Sequence, residues 1–302
     1  MRLMTTLTGL AAAGAALVSG AAAFAQGLEI VGQPINGKMG FQPAATELAR
    51  DLQWLDGFLL VIITVISVFV TLLMLWVIVR YNQTRNPKPA TFTHNSPLEV
   101  GWTVVPILIL VVIGAFSLPV LFKQQEIPVA DITIKATGYQ WYWGYEYADE
   151  DVAFDSHMIG APATGGDNRL TPEVEAQLIA AGYSANEFLL ATDTAMVVPV
   201  NKIIVVQVTG ADVIHSWTIP AFGVKQDGIP GRLAQLWFKA EREGIFFGQC
   251  SELCGLAHAY MPITVKVVSE EAYARWLEAA KAGDVLLSQD ILDGTVKVAA
   301  GD

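Results

Sequence analysis

Three shortages limit what this sequence can encode. Only 2 of its 302 residues are cysteine, which is too few for a disulfide scaffold. Charged residues make up 16% of the chain against 53% hydrophobic residues, a balance that excludes a purely soluble protein and predicts a membrane part. Basic residues number 18 against 29 acidic ones, so the net charge of -11 argues against nucleic-acid binding and favours a basic partner.

The beginning of the chain is typical of a secretory signal. Arg2 precedes an apolar run of small residues, and the letters AFA at 23–25 form a small-x-small cleavage pattern. A first membrane helix is the alternative, but the run is rich in Ala and Gly and only weakly hydrophobic. We expect residues 1–25 to be removed and residues 26–54 to form a segment outside the cytoplasm.

Two long apolar runs follow. Phe58–Val79 and Val100–Phe122 carry no charge, and each is about long enough to cross the hydrocarbon core as a helix. The sequence therefore predicts membrane helices over residues 55–80 and 99–123, joined by a loop over residues 81–98.

The charge of that loop predicts the orientation of the helix pair. Arg80, Arg85 and Lys88 are basic, and no acid occurs before Glu99. The positive-inside rule therefore places the loop in the cytoplasm of a bacterium and both termini in the periplasm, on a two-pass inner-membrane protein.

Glu99 has two interpretations. In the letters SPLE, Ser96 is the predicted N-cap of the second helix, Pro97 occupies the first turn, and Glu99 completes a capping box. The functional alternative is a carboxylate that collects protons at the cytoplasmic mouth of the helix pair.

Beyond residue 123 the composition becomes that of a soluble all-β domain. β-Branched and aromatic runs with partial alternation, separated by turn residues, predict a small sandwich or barrel over residues 124–270. A helical insertion is predicted near residues 165–184, with Thr171 as its N-cap, and a C-terminal helix and tail over residues 271–302.

The stretch GQCSELCGLAHAYMP, Gly248–Pro262, places four sulfur or nitrogen donors on one loop between two predicted strands. His215, at the end of another strand pattern, is expected to reach the same place. Thiolate, imidazole and thioether donors favour copper, and two cysteines four residues apart allow two copper ions with bridging thiolates. A periplasmic disulfide between Cys250 and Cys254, or a structural zinc site, remains an alternative.

Four motifs together carry a family resemblance. DVIHSWTIP, VKQDGIPGR, GQCSELCG with HAYMP, and GYQWYWGYEY, preceded by two membrane spans, resemble subunit II of a bacterial aa3-type cytochrome c oxidase. The resemblance covers nearly the whole mature chain. It implies a membrane-anchored all-β fold, in which a two-helix transmembrane hairpin precedes a cupredoxin-like Greek-key β-barrel or sandwich.

The resemblance also implies a dinuclear copper centre, CuA, and its ligands. The implied ligands are His215, Cys250, Glu252, Cys254, His258 and Met261. The two cysteines bridge both copper ions, each histidine binds one, Met261 is a weak ligand, and Glu252 contributes its backbone carbonyl. By the same resemblance the Glu252 side chain binds a magnesium ion shared with subunit I.

Further residues receive roles from the resemblance. Trp141 is expected to be the exposed tryptophan that accepts the electron, and Glu99 to lie at the mouth of a proton-uptake channel. The acids expected to dock a lysine-rich cytochrome c are Glu146, Asp155, Asp193 and Asp212. From the residues alone, the aromatic run is equally a packed strand and the acids a solvated face. His94 and His157 have no predicted role.

The expected function is to accept electrons from cytochrome c and relay them to haem a and the oxygen-reducing site, in support of proton pumping. The expected partners are cytochrome c, membrane lipid, subunit I with haem a, haem a3 and CuB, and subunit III. Three alternatives are a quinol-oxidase subunit II, which lacks the copper ligands, a nitrous oxide reductase, and a periplasmic copper-delivery or thiol protein.

Overall fold

The computed structural model describes residues 27–161, 169–287 and 289–294. The predicted signal over residues 1–25 lies outside these ranges, as does the end of the C-terminal tail from residue 295. The described part of the chain forms two long helices followed by a β domain.

Two helices, α1 (Glu47–Arg80) and α2 (Ser96–Gln125), are long and apolar enough to cross a membrane. Their most apolar windows have mean hydropathies of 3.0 and 2.8, and 0% of either window is buried within the chain. The first helix begins at Glu47 rather than at residue 55, because the Thr46 side chain caps it by accepting from the Ala49 amide at 3.0 Å.

The N-cap of α2 differs from the prediction. Asn95, and not Ser96, caps this helix: its Oδ1 accepts from the Leu98 amide at 3.2 Å. The Glu99 carboxylate accepts from the Asn95 amide at 3.1 Å. Glu99 therefore satisfies a free amide at the helix end, but it lies four residues after the cap rather than the three of the predicted capping box.

Within the described residues, eleven strands build the β domain. They are β1 Ile30–Gly32, β2 Ile132–Tyr139, β3 Tyr142–Tyr147, β4 Val152–Ser156, β5 Met196–Pro199, β6 Ile204–Gly210, β7 His215–Ile219, β8 Val224–Gly228, β9 Ala234–Phe238, β10 Gly244–Gln249 and β11 Pro262–Val268. One sheet has the order β1-β10-β11-β5, a second β4-β3-β2-β6-β9, and β7 pairs with β8 alone. Parallel and antiparallel pairs occur in both larger sheets, and a common core of buried side chains lies between them. This confirms the predicted two-helix hairpin followed by a cupredoxin-like sandwich.

Strand β1 comes from the segment that precedes the first membrane helix. It pairs in parallel with β10, so the predicted N-terminal segment is part of the sheet rather than a separate piece. A strand of three residues has too little alternation to be recognised in the sequence.

Three shorter α-helices of the described part of the chain lie on the surface of the sandwich: α3 (Pro172–Ala180), α4 (Glu270–Lys281) and α5 (Gln289–Asp293). The Thr171 side chain caps α3, and the Ser269 side chain caps α4. The α3 helix packs on a small apolar cluster of its own, whereas α4 inserts its side chains into the main core.

The membrane hairpin is joined to the β domain by specific contacts. The Thr46 hydroxyl donates to the Phe222 carbonyl at 2.7 Å, and Arg50 forms an ion pair with Glu241 at 2.6 Å. Lys123, at the end of α2, forms ion pairs with two carboxylates of α1. The first two contacts hold the sandwich next to the start of α1, and the Lys123 ion pairs join the adjacent ends of the two helices.

Candidate metal centre

The predicted ligand loop leaves β10 and returns to β11. The antiparallel pairing of Gln249 with Pro262 brings the two ends of the loop together. His215 is the first residue of β7 and does not belong to the end of the preceding strand. Next to it, the Ser216 carbonyl accepts a hydrogen bond from the Ser251 amide at 3.0 Å. The strand carrying His215 is thus bonded to the loop carrying the cysteines.

Five side-chain donors and one carbonyl meet in this place. Cys250 Sγ lies 3.8 Å from Cys254 Sγ, 3.9 Å from His215 Nδ1 and 3.3 Å from the Glu252 carbonyl. Cys254 Sγ lies 3.5 Å from His258 Nδ1 and 3.4 Å from Met261 Sδ. Every implied copper ligand is therefore within 4 Å of a cysteine sulfur.

The two thiols are free and buried. The disulfide considered as an alternative is not formed between them. His215 and Met261 are also almost fully buried, while His258 is partly buried. Water has little access to the sulfur atoms.

Asp212 orients the buried histidine. Its carboxylate lies 2.8 Å from His215 Nε2, so this nitrogen carries the proton and Nδ1 is free to face Cys250. Burial lowers the pKa of His215, but its bonds with Cys250 and Asp212 outweigh burial and leave the pKa above its ordinary value. Sequence reasoning assigned Asp212 only to docking; its spacing of three residues from His215 was the available signal.

The two thiols differ in acidity. Burial raises the pKa of Cys250, but hydrogen bonds with His215 and with the backbone at Glu252 and Ser216 bring it down to about 7. Burial and the adjacent Cys250 sulfur raise the pKa of Cys254 to about 12. The hydrogen bonds to Cys250 thus favour the thiolate form that a metal requires.

The donor set fits copper better than zinc. Structural zinc sites use four Cys, His or carboxylate ligands, and a thioether has no place among them. Here the Met261 thioether lies against a cysteine sulfur and is 1% exposed, so it belongs to the donor cluster. Imidazole, thiolate and thioether together are the ligands of electron-transfer copper.

Comparisons with known proteins agree with this geometry. The family model for the cytochrome c oxidase subunit II periplasmic domain matches residues 132–268, and the model for its transmembrane domain matches residues 34–120. Cytochrome c oxidase subunit 2 of Cereibacter sphaeroides is 71% identical over 290 residues, which cover 95% of this chain and 96% of the relative. The chain belongs to the cytochrome c oxidase subunit II family.

Other relatives extend the comparison. A probable cytochrome c oxidase subunit 2 of Rickettsia bellii is 41% identical over 246 residues, covering 81% of this chain and 85% of the relative. The crystal structure of the periplasmic domain of subunit II of cytochrome oxidase of Bradyrhizobium japonicum is 51% identical; it matches 52% of this chain and 98% of that chain, with a TM-score of 0.42.

As a member of this family, the chain is a membrane-anchored subunit of a haem–copper cytochrome c oxidase, an oxidoreductase complex, and the family implies a copper centre. The alternatives of a quinol-oxidase subunit, a nitrous oxide reductase or a copper-delivery protein are thereby set aside.

Trp141 of this subunit II lies directly over the donor cluster. Its indole Nε1 donates to the Cys254 carbonyl at 3.1 Å, and the Gln140 side chain donates to the same oxygen at 2.8 Å. Trp141 is partly buried rather than fully exposed, because it packs against the ligand loop. At Gly255, where φ is +118°, a Cβ would lie 3.1 Å from the indole ring, so a glycine allows this close approach.

The neighbouring aromatic residues have different positions. Trp143 is fully buried and its indole nitrogen donates to the Met261 carbonyl at 3.3 Å, so it is part of the wall of the site. Tyr142 is partly exposed, and its ring stacks on those of Tyr139 and His157, with distances between ring centroids of 4.8 Å and 4.5 Å.

Three of the four predicted docking acids surround this aromatic surface. Asp212 accepts from the Gln140 amide at 2.7 Å, next to Trp141. Asp155 is exposed. Burial is the main cause that raises the pKa of Tyr142, and the negative charge of Asp155 is the next. Asp193 accepts from the His157 amide at 2.8 Å, and the two side chains approach to 3.8 Å.

Two predicted residues lie outside this arrangement, and one unpredicted residue lies in it. Glu146 forms an ion pair with Lys135 at 2.8 Å, which neutralises it. Glu99 lies at the opposite end of α2 from the β domain. His157, for which no role was predicted, contacts Tyr142 and Asp193, and nothing in its local sequence indicated this.

Proposed function

We propose that this chain is the electron-accepting subunit of the oxidase, which receives electrons from cytochrome c and delivers them to haem a of subunit I. The observation that carries the proposal is the bond from the half-buried Trp141 indole to the carbonyl of Cys254. It joins a side chain at the surface to a residue whose sulfur lies inside the donor cluster.

The residues of the site would hold two copper ions, with the Cys250 and Cys254 thiolates bridging them. His215 and His258 would each bind one ion, and Met261 and the Glu252 carbonyl would complete the set. Such a centre, when bound, supplies reversible one-electron chemistry. The protein contributes a closed and buried ligand set, in which Asp212 keeps His215 in place and bulk water is excluded from the sulfurs.

Cytochrome c is proposed to dock around Trp141. The surface carboxylates of Asp155, Asp193 and Asp212 would attract a lysine-rich partner and accelerate its encounter, an effect that salt weakens. Glu146 should contribute less, because Lys135 already neutralises it.

Topology and ion sites complete the proposal. Residues 1–25 would be a signal peptide, loop 81–98 would be cytoplasmic, and the β domain would face the periplasm of a bacterial inner membrane. The exposed Glu252 side chain would bind a magnesium ion shared with subunit I. Glu99, at the cytoplasmic end of α2, would admit protons to a channel of subunit I during proton pumping.

The deciding experiment is copper loading of the full chain in detergent, followed by copper analysis, thiol titration and electron paramagnetic resonance. Two coppers per chain, with one unpaired electron shared between two nuclei, are expected. His215→Asn should abolish this signal, because it removes a buried donor that no neighbouring side chain replaces. The matched control His94→Asn changes an exposed histidine outside the site and should leave the signal intact.

One localised copper, or copper that exchanges freely with a chelator, would contradict the proposal.

A further inference from the structure

The outer face of the sheet β1-β10-β11-β5 is covered by the described parts of the segment between β4 and β5, residues 157–161 and 169–195. Helix α3 in this segment packs on the sheet through a small apolar cluster that includes Leu178, Tyr183 and Phe247. Next to the cluster, between the segment and the sheet, lies a cavity of about 620 Å³. This volume is in the range of small-molecule sites, roughly 300 to 1,000 Å³.

The wall of the cavity is mainly apolar. It is formed by five parts of the chain: the start of the insertion, the end of α3, strand β5 with the residues leading into it, strand β11 and the segment after α4. The principal apolar residues are Met158, Ile159, Val197, Leu286 and Leu287. Such a wall accommodates a hydrocarbon chain.

One cation interrupts the apolar wall. Lys266 of β11 lines the cavity, and burial lowers the pKa of its amine to about 8. In the described ranges of the chain, no carboxylate lies within 4.0 Å of its Nζ; the amine instead lies 5.5 Å from the centroid of the Tyr183 ring. A half-buried ammonium group without an anionic partner in contact is unfavourable, so an anion bound there would be stabilised.

A second polar group beside it also lacks a partner. The Tyr183 hydroxyl is buried and has no hydrogen-bond partner among the described residues. Asp193 lines the cavity too, but its carboxylate already accepts from the amides of His157 at 2.8 Å and Thr194 at 2.7 Å. A buried hydroxyl usually has a partner, so both the Lys266 ammonium and the Tyr183 hydroxyl remain available to a ligand oxygen.

We propose that this cavity binds a single-chain amphiphilic anion, with its charged head at Lys266 and Tyr183 and its alkyl chain along the apolar wall. A single lysine balances a single negative charge, which favours a monoanionic head such as a carboxylate over the polyphosphate of a nucleotide. The same head chemistry is available from a free fatty acid and from the phosphate of a single-chain lipid. The site is separate from the copper ligands and does not depend on the proposed electron transfer.

The test uses the intact oxidase complex in lipid nanodiscs and a decanoate that carries a photoreactive diazirine. After illumination, mass spectrometry locates the labelled peptides. Saturable labelling is expected on the peptides containing Met158–Ile159 or Leu286–Leu287, and unlabelled decanoate should compete with it. Lys266→Met should lower the labelling about tenfold, through loss of one charged hydrogen bond, whereas Lys266→Arg should retain most of it.

Lys239→Met is the matched control, because Lys239 is exposed and lines a different part of the surface. It should label like the wild type, and the copper spectrum of all three variants should be unchanged. Three results would each overturn the proposal. They are equal labelling of Lys266→Met and wild type, equal labelling by a diazirine decanol of the same length, and no saturable labelling of these peptides. Competition by lysophosphatidylglycerol, whose phosphodiester carries one charge, at lower concentration than by decanoate would assign the site to a lipid phosphate, and the reverse order to a free carboxylate.

Discussion

At the scale of single residues, the indole of Trp141 is the group whose change separates electron transfer from metal binding. Trp141→Phe keeps an aromatic ring but removes the N–H group that donates to the Cys254 carbonyl. Because every copper ligand is retained, copper content should not change. The rate of electron transfer from reduced cytochrome c should fall at least about tenfold in stopped-flow measurements.

Trp54→Phe is a suitable control, since Trp54 is an exposed tryptophan on α1, away from the ligand loop. If Trp141→Phe accepted electrons as fast as this control, the proposed input through the indole would be wrong.

Lys266 makes the stability of the β domain dependent on pH. Its pKa in the folded chain, about 8, lies below the ordinary value of 10.5, so the unfolded chain binds more protons between these two values. Stability should therefore rise as the pH increases from 8 to 10.5, and the burial penalty is fully present below pH 8.

Replacing this lysine should remove the penalty. Lys266→Met should increase the free energy of unfolding at pH 7 by about 2 kcal/mol, with the gain disappearing above the unfolded pKa. Urea unfolding of the full chain, followed by tryptophan fluorescence at several pH values, measures the difference. A gain that is equal at all pH values would show that packing, and not charge, is its cause.

At the scale of elements, the position of His215 depends on how closely β2 approaches β7. A Cβ at Gly138 would lie 2.7 Å from the His215 ring, closer than side-chain atoms ordinarily come. Gly138→Ala should therefore displace the imidazole and reduce the copper bound per chain by about half or more. The overpacking should also lower the free energy of unfolding by about 1–3 kcal/mol.

Copper analysis and paramagnetic resonance measure this effect. Gly57→Ala, on α1, is the control, since a Cβ there meets no other atom within 4 Å. Full copper occupancy in Gly138→Ala would mean that the two strands can separate without loss of the ligand.

At the scale of the whole molecule, the metal should stabilise the β domain and not the membrane hairpin. The ligand loop joins β10 to β11 and is bonded to β7, so metal binding connects strands that are distant in the chain. Removing copper with a chelator should lower the Tm of the β domain by about 10 °C, since a ligand that binds only the folded state stabilises it.

Differential scanning calorimetry of the full chain in detergent, with and without copper, measures this shift. The far-UV circular dichroism signal of helices α1 and α2 should persist through the same transition. The reason is that 0% of their apolar windows is buried against the β domain. An unchanged Tm would contradict the proposed metal site.

The sequence by itself determined the features that depend on adjacent residues. The two membrane helices follow from uninterrupted apolar runs, the cap at Thr171 from local side-chain chemistry, and the cysteine-rich loop from four donors within twelve residues. Each of these signals is complete within one or two turns of chain, so no distant contact is needed to recognise it.

Only the tertiary structure decided how distant residues meet. The bond from Trp141 to Cys254 spans 113 residues, and strand β1 joins β10 across more than 200 residues of chain. The half-buried Lys266 stands beside Tyr183 only because the insertion folds over the outer face of the sheet. Such contacts depend on the packing of the two sheets and of the insertion upon them, and packing between distant segments leaves no local pattern in a single sequence.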